Sequence, residues 1–201
     1  MISIEHKFIF VHVPKTAGTT IKNWLKTVVG EQADPVWEHF KSTEIQHMFH
    51  RDFYNQCFKF TFVRNPWSRV VSSYFYLTSD VYRKKNPMKW ESKFKGVSFE
   101  KFVRNKLMFM PQYKYFSDHD GNMQVDFVGT VEFLERDLRY VAGKLGAQPP
   151  SDLPVSNKTR HKDYRSYYVP ETIEIVREHH QRDIDLFGYE FDELPRKPTY
   201  L

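Results

Sequence analysis

The segment HVPKTAGTT, His12 to Thr20, sets one lysine, one glycine and three threonines where an apolar, β-prone run meets a helical pattern. A strand, a tight turn and a helix N-terminus in that order gather backbone N–H groups around one point, and the helix dipole adds positive potential there. The natural guest is an anion, a phosphate or a sulfate. Lys15 supplies the charge, Gly18 permits close backbone approach, and Thr19 and Thr20 add hydroxyl donors in the first helical turn. The expected anion-binding set is Lys15, Thr16, Ala17, Gly18, Thr19 and Thr20. A Walker A loop is a different object, G-x-x-x-x-G-K-[ST], with its lysine after the second glycine. Here Lys15 comes before Gly18, and no such match exists.

A second segment, FVRNPWSRVVSSYFY, places Arg64 at the end of an apolar run and Ser72 on the helical pattern that follows. In open α/β sheets ligands bind at the C-terminal ends of strands. A guanidinium there and a hydroxyl on the next helix can hold one phosphate dianion together. Two anion grips on neighbouring crossovers call for a ligand with two separated phosphate groups.

These residues need a scaffold, and the periodicities describe one. Phe8–Val13 and Phe58–Val63 are nearly continuous apolar runs, as strands buried on both faces of a parallel sheet require. Ile21, Trp24, Leu25 and Val28 recur at helical spacing up to Gly30, a C-terminal stop. Thr43 with Gln46 gives a capping-box start to a helix ending near Asn55. Pro66 opens a helix through Tyr76. The lysine-rich stretch SDVYRKKNPMKWESKFKG shows no clean periodicity and reads as an exposed excursion, followed by a short helix capped by Ser98. A third strand is expected over Val125–Val131, a helix over Glu132–Leu145, and a final helix from Pro170 carrying Ile173, Val176, Ile184 and Phe187 on one side. Strands alternating with helices predict an α/β, three-layer fold with a mainly parallel central sheet flanked by helices.

Bulk properties narrow the classes. The chain has 201 residues, enough for one well-buried domain, and one domain over 1–201 is expected. Its net charge of +5 is too modest and too dispersed to point to nucleic acid. The single cysteine, Cys57, allows no intrachain disulfide, and no second cysteine joins the nine histidines in a zinc spacing. No apolar run approaches the roughly 20 residues that span a bilayer, and charge interrupts the N-terminal segment where a signal peptide needs an apolar core. The expected location is cytoplasmic.

HVPKTAGTT and FVRNPWSRVVSSYFY resemble the 5′-phosphosulfate and 3′-phosphate motifs of carbohydrate sulfotransferases, in the group that includes heparan 2-O- and chondroitin 4-O-sulfotransferases and bacterial relatives. The resemblance continues through VDFVGTVEFLERDL and NKTRHKDYRSYYVPETIEIVREHHQRDIDLFGYEF, so it covers most of the chain. It implies a P-loop-like sulfotransferase domain and 3′-phosphoadenosine 5′-phosphosulfate (PAPS) as donor, with adenosine 3′,5′-bisphosphate (PAP) as product. It also implies a carbohydrate or other small hydroxyl acceptor; no metal is expected, because the transferred sulfuryl group carries only one negative charge. Lys15 is then expected to neutralise charge on the leaving oxygen, and Arg64 with Ser72 to take the 3′-phosphate. Lys158 and Arg160, in a late family segment, are expected to add to that grip. His39 stands about where the family places its base histidine, with His47 as the alternative and Glu38 adjacent; His12 reads as a packed strand residue beside the loop. The Golgi members begin with a membrane anchor, which this sequence does not show, and its length leaves little room for their added acceptor-binding elements. Two other readings fit the residues less well: a nucleotide-binding module without catalysis, and a nucleotide or small-molecule kinase. The oligomeric state is not legible in the sequence.

Overall fold

A computed structural model of the chain describes residues 1–30, 39–150, 162–193 and 199–200. The strands are β1 (Ile2–Ser3), β2 (Phe8–Val11), β3 (Phe58–Val63), β4 (Phe127–Thr130) and β5 (Thr199–Tyr200). The helices are α1 (Gly18–Val29), α2 (Ser42–Met48), α3 (Arg51–Gln56), α4 (Pro66–Leu77), α5 (Asp80–Lys85), α6 (Pro87–Lys93), α7 (Phe99–Arg104), α8 (Leu134–Leu145), α9 (Pro170–His179) and α10 (Gln181–Phe187). The chain divides into two units. The first comprises Met1–Arg64, Gln112–Ser156 and Lys197–Leu201, the second Asn65–Pro111 and Asn157–Arg196.

The first unit is built on a five-stranded sheet in the order β1-β2-β3-β4-β5. β2, β3 and β4 run parallel, with Phe10 opposite Phe60 and Phe62 opposite Gly129, and the short β1 and β5 close the edges antiparallel. This is the mainly parallel α/β sheet flanked by helices that the alternating pattern predicts. Every residue of β2 and β4 is buried, which explains why these strands read as continuous apolar runs rather than alternating ones. Phe8, Phe10, Phe60, Phe62 and Phe127 form one core with Ile21, Trp24 and Leu25 of α1 and Leu138, Val141 and Ala142 of α8. The Phe10 and Phe60 rings stack at 5.2 Å, and Phe62 meets Phe127 edge-on at 6.4 Å. Gly129 makes room for this: a Cβ there would lie 2.4 Å from the Phe62 ring.

The second unit is helical. Trp67 of α4 is fully buried and its Nε1 donates to the Ile173 carbonyl at 3.1 Å, while the Tyr168 hydroxyl donates to the Trp67 carbonyl at 2.9 Å. The Tyr74 ring stands edge-on to Phe99 and Phe102, and an ion pair joins Arg104 of α7 to Glu171 of α9.

Three elements depart from the sequence expectation. The single helix expected from Thr43 to near Asn55 is two, α2 and α3. Phe49 is extended between them, its ring against Phe53 at 5.3 Å, and the His50 side chain accepts from the Asp52 N–H to start α3. Its cap also lies earlier: the Glu44 carboxylate, a stronger acceptor than the Gln46 amide, takes the Lys41 N–H at 2.6 Å. The lysine-rich excursion folds as α5 and α6, with Ser79 capping α5 and Pro87 opening α6. Its inward anchors, Tyr82 and Phe94, meet edge-on at 5.6 Å but are too sparse to set a period. The final helix breaks at His180, whose Nδ1 pairs with the Asp183 carboxylate at 3.3 Å, both side chains being buried.

Candidate functional site

The loop from His12 to Ala17 leaves the C-terminal end of β2 and enters α1 in a strained conformation. Lys15 and Ala17 both have positive φ, 68° and 62°. For residues other than glycine this costs on the order of 1–2 kcal/mol each, a strain that clusters at functional sites. The Thr16 hydroxyl donates to the Val13 carbonyl at 2.9 Å and is fully buried, so it braces the turn from inside. The left-handed residue Ala17 is the N-cap of α1; it has no side chain to cap the helix, and the first turn carries no acid. The N–H groups of Gly18, Thr19 and Thr20 therefore open a twelve-residue helix whose own first turn holds no carboxylate to offset its dipole. Thr19 is exposed and Thr20 buried.

Lys15 is mostly buried, and its pKa is brought down to about 8, first by desolvation and then by the positive charge of Arg64. That coupling places two cations together at the ends of adjacent parallel strands, since Arg64 directly follows β3. The Arg64 backbone is clasped by one side chain. Its N–H donates to Gln112 Oε1, and its carbonyl accepts from Gln112 Nε2, both at 2.9 Å, with Gln112 fully buried. The end of β4 is braced in a similar way, because Asp137 accepts from both the Thr130 N–H and its hydroxyl.

His39, also at positive φ (65°), reaches this loop. Its Nδ1 lies 3.2 Å from the His12 carbonyl, and its ring centroid is 4.4 Å from that of His12. A carbonyl only accepts, so the contact puts the neutral ring's proton on Nδ1 and leaves Nε2 as the basic nitrogen. His12 is buried, and its pKa is depressed to about 2 by desolvation first and then by neighbouring positive charge.

Of the residues singled out in the sequence, the structure thus brings together Lys15, Thr16, Ala17, Gly18, Thr19, Thr20, Arg64 and His39 within the first unit. His47 is exposed on α2 and makes no hydrogen bond or ring contact among the described residues. Ser72 is buried on α4 in the second unit, whose first residue, Asn65, caps α4 through its side chain. Glu38, Lys158 and Arg160 lie outside the described residues. Gln112 and Asp137 are site-bracing residues the sequence reading passed over. Gln112 carried no signal, its partner being 48 residues away, whereas Asp137 was marked by an acid in the first turn after a strand.

The set suits a polyanionic ligand: a partly desolvated ammonium, a guanidinium and a helix N-terminus that its own N-cap residue does not cap converge beside one oriented imidazole. Among the described residues, no group of three or more His, Cys, Asp and Glu side chains could hold a metal ion, and no helix is long and apolar enough to cross a membrane.

Residues 1–190 match the family model described as "Sulfotransferase family". A carbohydrate sulfotransferase 14 of Danio rerio is 26% identical across 99% of this chain, which spans 63% of that protein's length. An uncharacterized protein of Archaeoglobus fulgidus is 34% identical over 52% of this chain and 78% of its own.

Proposed function

Starting from the fact that this chain belongs to the sulfotransferase family, we propose that it moves a sulfuryl group from PAPS to a hydroxyl of a carbohydrate or other small acceptor. The observation that carries the reading is the meeting of Lys15 and Arg64 beside the open N-terminus of α1, with His39 oriented on the same loop. One relative bears the name of a carbohydrate sulfotransferase, which favours a sugar hydroxyl as acceptor.

When bound, the donor supplies the sulfuryl group and a phosphate leaving oxygen. Lys15 with the first-turn N–H groups of α1 holds the 5′ end, and the Lys15 ammonium stabilises negative charge growing on the leaving oxygen. Arg64, its backbone fixed by Gln112, takes the second phosphate at the end of β3. His39 Nε2 accepts the proton of the acceptor hydroxyl, and the resulting imidazolium is held through Nδ1–H to the His12 carbonyl. Desolvation around Lys15 strengthens its interaction with developing charge.

The test is calorimetric titration of wild type and Arg64→Ala with adenosine 3′,5′-bisphosphate and with adenosine 5′-phosphate. Arg64→Ala is expected to weaken the bisphosphate by about 2–3 kcal/mol, the scale of charge-assisted hydrogen bonds, and to leave the monophosphate nearly unchanged. Equal losses for both ligands would overturn the assignment of Arg64 to the second phosphate.

A further inference from the structure

The side chain of His12 touches the two parts of the site whose spacing matters. One edge lies against Gly18, the first residue of α1: a Cβ there would fall 1.7 Å from His12 Nε2 and 2.1 Å from Cδ2, so only glycine lets the ring stand where it does. Its face meets the His39 ring at 4.4 Å, and behind it Phe10 stacks at 5.8 Å. The ring is 8% exposed. The main chain of His12 fixes the tautomer of His39, and the His12 side chain lies against the His39 ring.

Packing alone does not account for an imidazole here. His12 Nδ1 is buried with no hydrogen-bond partner among the described residues. An unmet buried polar atom costs about 1–3 kcal/mol. Departures of this kind from local satisfaction concentrate where function requires them. Among the described residues, the charged groups acting on the ring are His39 itself, Lys22 of α1, the N-terminal ammonium and Lys15, and together with burial they keep His12 uncharged. A His39 that has taken a proton therefore rests on a neutral neighbour.

We propose that His12 is a positioning residue that ties the anion loop to His39, its imidazole setting the separation between Gly18 and the His39 ring. The proposal rests on the reading of His39 as proton acceptor, but the ring coupling stands on geometry alone.

The experiment follows the His39 imidazole by NMR across pH in the full chain, for wild type, His12→Ala and His12→Gln, together with calorimetry for adenosine 3′,5′-bisphosphate and turnover of PAPS. Both variants remove the ring while keeping the His12 carbonyl. The titration midpoint of His39 is expected to move by about half a pH unit or more as its environment changes. Turnover should fall about 10- to 100-fold, the scale of a misplaced catalytic group, while nucleotide affinity changes less than about threefold. A His39 midpoint that coincides with wild type in both variants overturns the proposal. So does a loss of nucleotide affinity as large as the loss of turnover, because His12 would then only pack the loop. If wild type turns over no PAPS, the function reading fails by itself, and the His39 midpoint still decides the coupling.

Discussion

Lys15 offers the sharpest quantitative prediction, because its charge is not assured in the free protein. Burial and Arg64 bring its pKa to about 8, against 10.5 for an ordinary lysine. An anion that binds beside it favours the ammonium, so binding must draw a proton onto Lys15 wherever the free protein has lost it. The sign follows: affinity is full below the free-state pKa and is lost as pH rises through it. With a pKa of about 8, roughly nine-tenths of Lys15 is charged at pH 7 and roughly one-tenth at pH 9. Apparent affinity for adenosine 3′,5′-bisphosphate should then fall about tenfold over that range, close to 1.4 kcal/mol. An unperturbed lysine would give a change of only a few per cent. The ligand's own phosphates, with second pKa values of about 6, add little in this window. Calorimetry in buffers of different ionisation enthalpy should show about half a proton taken up per ligand at pH 8, where a group with that pKa is half charged. Lys15→Arg, which stays charged, should abolish both the slope and the uptake. A flat wild-type affinity from pH 7 to 9 with no proton uptake would refute the desolvated, Arg64-coupled picture of this lysine.

Other expectations reach the base, the scaffold and the core. Turnover at saturating donor should rise with pH through a single limb; His39→Ala should remove that limb and lower turnover about 100- to 10,000-fold with nucleotide affinity intact, whereas a limb lost in His47→Ala would move the base to α2. Gln112→Ala strips the clasp from the Arg64 backbone and should lower stability in denaturant titration by about 1–3 kcal/mol, with no change counting against the clasp. The folded-state pKa of His12 lies far below its ordinary 6.5. The unfolded chain thus binds a proton between those values that the folded chain does not, and stability should fall on acidification from about pH 6.5 to 5 by about 1–2 kcal/mol. His12→Phe should flatten that part of the pH–stability curve, and an unchanged slope would contradict the burial argument.

The parts of this molecule that were legible in the sequence are those encoded locally. β3 occupies Phe58–Val63 as its apolar run marks it, and the loop after β2 sits at a strand-to-helix junction because the types and order of Lys15, Gly18, Thr19 and Thr20 allow little else. The positive φ of Lys15 and Ala17 was not legible, since neither residue type announces it. Nor was the break at Phe49, where a ring contact with Phe53 and the His50 cap outweigh helical propensity. α5 and α6 escaped because Tyr82 and Phe94 hold them by a ring contact rather than by a repeating apolar face. Gln112 escaped because its meaning lies wholly in a tertiary contact with Arg64. His12 reads in the sequence as a packed residue, which it is; its contacts with Gly18 and His39 are tertiary and leave no local mark.

The most direct measurement of the central proposal is acceptor-dependent release of adenosine 3′,5′-bisphosphate from PAPS, followed across a set of glycans and small hydroxyl compounds for wild type and Lys15→Met. The proposal requires release by wild type that depends on an acceptor, falls by about 100-fold or more in Lys15→Met, and is lost more than the mutant's affinity for the sulfate-free nucleotide. Equal turnover by wild type and Lys15→Met, or release that no acceptor stimulates, would contradict it.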